Sequence, residues 1–177
     1  FRPNLKIHKS AQSARPFMAT VSAELFEEIL IRGNSLRIRV TGSSMTPFIN
    51  SGEYVTIGRV SCSGLKTGDI ILFRGRDNQY ILHRIIKRQK KGSGAFIFQT
   101  KGDAMMAYDA VIPEEHILGR VCKIERMKPD STLLLIDLQS GKWRMANHLL
   151  AVVHRLRSAF YLRVYALLKK RWRKSIC

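Results

Sequence analysis

The chain has 177 residues, 45% of them hydrophobic, with 31 Lys and Arg against 13 Asp and Glu, a formal charge of +18. That excludes a disordered polymer and leaves room for one modest core, with about two thirds of the unfolded surface buried. Cys62, Cys122 and Cys177 form no CxxC pair, which argues against a disulfide scaffold and a cysteine-based zinc site.

His148 and His154 stand six apart, about 240° around a helix, so they share no ligand face; no metal or cofactor is expected. The longest apolar runs, Leu133 to Ile136 and Leu149 to Val153, fall far short of the roughly 20 residues of a membrane-spanning helix.

Residues 1–19 carry Arg2, Lys6, Lys9 and Arg15 without a period and read as a basic N-terminal arm. From Ser22, an N-cap, Leu25, Phe26, Ile29 and Leu30 recur at helical spacing, and Gly33 ends the pattern: one amphipathic helix, expected to lie as a lid on a sheet. The period then changes to two. Leu36, Ile38 and Val40 alternate with Arg37, Arg39 and Thr41, and further strands are predicted at residues 54–57, 69–74, 79–87, 95–101, 117–125 and 132–138. Turn residues separate them, among them Asn50-Ser51-Gly52, Gly92-Ser93-Gly94 and Pro129-Asp130.

The pattern predicts a mainly β protein, a folded-over antiparallel or barrel-like sheet with one leading helix, over residues 20–141. Residues 142–177 hold ten basic residues and no acidic one. Within them Leu149, Val152, Val153, Leu156, Phe160, Val164 and Leu167 follow steps of three and four, giving a basic amphipathic helix or pair of helices.

Chemistry is concentrated at three places. Gly42-Ser43-Ser44-Met45-Thr46-Pro47 runs a strand into a turn, where Gly42 permits a sharp bend and Pro47 stiffens the chain; this suits either a nucleophilic serine or a plain turn. On the next candidate strand, period two puts His83 on the face of Ile81 and Ile85, as a core histidine or as a base on a rigid support. Asp103 and Asp109 follow a later strand, where such acids orient an imidazolium or cap a turn.

Taken in order, Gly42-Ser43-Ser44-Met45-Thr46-Pro47, Ser51-Gly52-Glu53, Thr67-Gly68-Asp69, Leu82-His83-Arg84-Ile85, Lys101-Gly102-Asp103 and Ile117-Leu118-Gly119-Arg120 resemble the successive boxes of type I signal peptidases. The boxes run from about residue 36 to residue 126, about half of the chain. His83 followed by Arg84 resembles the endoplasmic-reticulum and archaeal-type branch, since bacterial-type members and the related SOS-response repressors carry lysine there.

This resemblance implies a serine endopeptidase acting on a leader or precursor peptide, with Ser44 as nucleophile, His83 as general base, Asp109 supporting the histidine and Asp103 within the site. Gly42 stands where many members carry a serine that assists the oxyanion, so Ser43 or Thr41 is the expected substitute. The segment Ser22 to Arg32 takes the place of the family's usual spanning helix, and the basic tail from Trp143 to Trp172 is expected either to rest on an anionic membrane or to pack on the sheet as a helical pair with a solvated basic face, the protein lying on the cytoplasmic side. A spanning segment upstream of Phe1 would make it integral to the membrane. The charge also raises a second class, a nucleic-acid-binding regulator on a repressor-like β fold; a helix-turn-helix head is missing from these residues.

Overall fold

The computed structural model describes residues 27–30, 32–76 and 79–174, with side chains as far as residue 160. Period-two segments become strands: β1 (Leu36–Arg39), β2 (Tyr54–Gly58), β3 (Ile70–Arg74), β4 (Tyr80–Lys90), β5 (Phe96–Lys101), β6 (Ile112–Pro113), β7 (Ile117–Met127) and β8 (Leu133–Asp137). Seven of them lie where the sequence predicts strands, and β6, at two residues, is too short to carry a period. Residues 27–30 are helical, while the earlier part of the helix expected from Ser22, and the arm 1–19, lie outside the described residues.

The strands form one antiparallel sheet in the order β1-β2-β7-β3-β4-β5-β6, and β8 pairs with β7. β7 pairs with β2 on one side; on the other, its first residues pair with β3 and its last with β8. Register shifts in β2, β3 and β4 add local twist, and the sheet curls.

Curling gives β3 two buried faces, which accounts for its unbroken run Ile70-Ile71-Leu72-Phe73. Ile70 and Leu72 enter a core with Val55, Ile57, Val121 and Ile124, whereas Ile71 and Phe73 enter a second core with Ile85 and Phe98. β4, paired to β3, therefore runs along the seam between two cores. Its two adjacent polar residues His83 and Arg84, which point to opposite faces, are both buried.

The basic tail forms one continuous helix, α1 (Gly141–Lys174), about 50 Å long. Its first half packs on β4. The side turned inward carries Asn147, Ala151, His154 and Ser158, all buried and spaced four, three and four apart. Trp143 also turns into the domain and meets Phe48 edge-on, with ring centroids 5.9 Å apart. Among the described residues no helix is long and apolar enough to cross a membrane.

Candidate active site

Ser44 sits in the loop between β1 and β2. Gly42 enters that loop with φ of +86°, a left-handed conformation that a side chain there would strain, although the space beside it is open. Beyond the serine, the fully buried Met45 and Ile49 anchor the loop, and Ile49 N–H donates to the Met45 carbonyl at 2.9 Å. Arg126 fastens the far side by pairing with Glu53 and donating to the Phe48 carbonyl at 2.7 Å. Ser44 is thus a half-exposed residue on an anchored turn. Among the described residues its N–H makes no hydrogen bond.

His83 comes from the middle of β4 and is 8% exposed. Its Nδ1 lies 2.7 Å from Asp109 Oδ2, which also accepts from Thr100 Oγ1 at 2.6 Å. Burial raises the Asp109 pKa, but the hydrogen bonds and charge of His83, with the Thr100 hydroxyl, outweigh it and hold it below the ordinary 3.8. An ionised carboxylate only accepts, so Nδ1 carries the hydrogen and a neutral ring has its lone pair at Nε2. That is the tautomer a general base needs.

Because Asp109 is depressed in the fold, its stabilisation is complete above about 3.8, the unfolded value, and is lost as pH falls through the lower folded value. The stability difference between the wild type and Asp109→Asn in urea titrations is therefore expected to shrink below about pH 3.8. A difference that persists undiminished in stronger acid contradicts the ionic role.

Gly102 links the two groups. Register pairs Arg84 with Lys101, and one step further sets Gly102 beside His83. A Cβ on Gly102 would lie 2.6 Å from the Ser44 carbonyl oxygen and 2.9 Å from His83 Nε2. Serine main chain and imidazole Nε2 thus border one small space that the glycine leaves open. The Ser44 carbonyl is itself held by Ala104 N–H at 2.9 Å, and no hydrogen bond joins the Ser44 hydroxyl to His83.

Gly102→Ala is expected to lower kcat by about 10²-fold in a folded protein, since displacement of reacting groups by about an ångström has that effect. Unchanged turnover in the folded variant would mean that no reaction geometry depends on this space. Ser44 and His83 also line a cleft of about 420 Å³ with Ile38, Val40, Leu72 and Leu82. Apolar walls of that size suit an extended peptide.

Asp103 does not touch His83. It forms a two-pronged pair with Arg84, Nε to Oδ1 at 2.8 Å and Nη2 to Oδ2 at 2.6 Å, and both side chains are buried. Arg84 Nη1 donates further to the Gly68 carbonyl at 3.0 Å and to Asn147 Oδ1 on α1 at 2.6 Å, and its guanidinium lies over the Phe48 ring. His154 Nε2 approaches Asp103 Oδ1 at 3.3 Å, and Lys101 Nζ donates to Ser158 Oγ at 3.0 Å. Burial, helped by Arg157 and opposed by Asp103, pushes the Lys101 pKa down. The turn at Gly102 and Asp103 is thereby tied to α1.

With this geometry in place, comparison with known proteins is informative. No family model matches the chain. It is 32% identical over 92 residues to signal peptidase I W of Bacillus subtilis (strain 168), a stretch covering 51% of this chain and 47% of that protein. The chain spans about half the length of the curated relative it matches. The likeness supports the signal peptidase I family and, with it, a protease.

Several members of the site escape a sequence reading. Thr100 is an ordinary strand threonine until its hydroxyl is seen on Asp109. Arg84 carries a clearer signal, a charge inside the apolar run from Ile81 to Ile86, which requires a buried partner. Asn147, His154 and Ser158 carry a weaker one, polar residues at helical spacing on a face narrower than the apolar stripe beside them.

Proposed function

We propose that this chain is a serine endopeptidase of signal-peptidase type that cuts a leader or precursor peptide, with Ser44 as nucleophile and His83 as general base. The observation that carries this reading is the orientation of His83: Nδ1 is tied to Asp109, and Nε2 faces the gap beside Ser44. A serine hydroxyl needs such a base within about 3 Å. The side chains close this distance once substrate fills the cleft.

In the proposed reaction His83 Nε2 takes the Ser44 proton as Oγ attacks the scissile carbonyl. The resulting oxyanion is met by the Ser44 N–H, with a second donor from Ser43 or Thr41, since Gly42 has no hydroxyl. Asp109 stabilises the imidazolium without taking its proton. His83 then protonates the leaving amine, and water, activated by the same base, releases the acyl group. The pairing of serine with histidine rather than lysine supports the endoplasmic-reticulum and archaeal-type branch. Asp103 acts at one remove, holding Arg84 and the Gly102 turn.

Incubation with precursor peptides bearing small residues before the scissile bond, read by mass spectrometry, is expected to give one defined cut. Intact precursors after prolonged exposure to folded protein would sink the proposal.

A further inference from the structure

Helix α1 is amphipathic in an unusual sense. The side that meets the sheet is small and polar, and the side facing away is apolar. Counted at about 100° per residue, Met145, Leu149, Val153, Leu156 and Phe160 all lie within about 50° of the line opposite Asn147, Ala151, His154 and Ser158. Leu156 is 66% exposed and Phe160 is 71% exposed, and the other three are similarly open. Exposed Arg155 and Arg157 flank the stripe on its two sides. Each turn of the free face thus offers hydrocarbon at the centre.

We infer that this outward face of α1 docks on an anionic lipid surface, with the apolar stripe in the headgroup boundary and the flanking cations on lipid phosphates. Charge selects the partner. From Lys142 to Lys174 there are ten basic residues and no acidic one, so a second copy of the chain would bring the same uncompensated charge to the contact. Nucleic acid would satisfy the arginines but offers no apolar surface to a stripe of leucine, valine and phenylalanine. An anionic bilayer satisfies both. The inner face of the same helix grips Arg84, Asp103 and Lys101, so the outer face is the one left free. The inference concerns a surface remote from the reacting groups and stands independently of the proposed peptidase chemistry.

Flotation of the full chain tests it, with vesicles of phosphatidylcholine alone and with about one third phosphatidylglycerol. The protein is expected to float with the anionic vesicles at least about tenfold more strongly than with the neutral ones. The triple variant Leu149→Ser/Leu156→Ser/Phe160→Ser should bind the anionic vesicles at least about tenfold more weakly, with circular dichroism and peptide cleavage in free solution unchanged. Absence from the anionic vesicle fraction, equal flotation with both vesicles or undiminished binding by the triple variant overturns the inference. So does a dimer that the variant abolishes, or salt-sensitive binding to duplex DNA without flotation; these outcomes assign the face to a second copy or to nucleic acid.

Discussion

Replacing Ser44 with Ala is expected to reduce kcat/KM by about 10³-fold or more while the thermal midpoint stays within a few degrees; His83→Ala should lose as much activity but also some stability, because it leaves Asp109 without its partner. Ser44 is half-exposed and its side chain holds no other element, so removing one oxygen costs little stability. Losing the nucleophile removes the covalent route altogether. The double variant distinguishes a working pair from two separate contributors. Groups that act as a unit are non-additive, so Ser44→Ala/His83→Ala should be about as slow as either single change. Losses that multiply would make the two residues separate contributors, and a Ser44→Ala protein that cuts at the wild-type rate would remove the serine from the reaction. Asp109→Asn is also expected to lose activity, by about two to four orders of magnitude, because it spoils the tautomer and leaves the base in place.

The largest effect on stability is expected at Arg84 and Asp103. Both are buried, and each is the other's main counter-charge. Arg84→Met leaves a carboxylate inside the protein with only the more distant Lys101 charge and His154, whose imidazole is kept below its ordinary pKa, by burial first and by nearby cations, against the pull of Asp103. Removing one partner of a buried pair typically costs about 3–5 kcal/mol, roughly 10 °C in a chain of this size. Asp103→Leu strands the guanidinium and should cost a similar amount. Arg84→Met/Asp103→Leu should regain part of the loss, since neither charge is then left alone. Calorimetry of the three variants decides the point: single changes worth less than about 1 kcal/mol would show that the pair is not buried in solution.

How legible these features are in the sequence depends on what each element covers. β1 and β2 are plain alternations, and turn residues bracket them closely. Ser44, His83 and Asp109 are visible as candidates because rigid turns and a histidine in an apolar strand are local signals, and the resemblance sets them in order. The pairing of His83 with Asp109 depends on the return of the chain to Thr100, where Asp109 N–H donates to the Thr100 carbonyl, and no local period encodes that.

The helix is the instructive case. Hydrophobic periodicity marks Leu149, Val152, Val153 and Leu156 as one face but does not say which side meets the sheet. The underlying surface holds Arg84, Lys101 and Asp103 rather than hydrocarbon, so the side that fits there must bring hydrogen-bonding groups. A polar patch on one element is thus complemented by a polar stripe on another, and hydropathy alone ranks that stripe as solvent-facing.

Gly68 shows how closely the two halves of the molecule are fitted: at φ of +100° its missing Cβ would stand 2.7 Å from the main chain of Asn147. That fit has a temporal consequence. A ribosome delivers Ser44 and His83 early, but the cover over Lys101 and Asp103 emerges only after residue 158. Until then the nascent polypeptide holds these ions against water instead of against their final partners, and the loop beside the imidazole acquires its finished support only once that helix has been made.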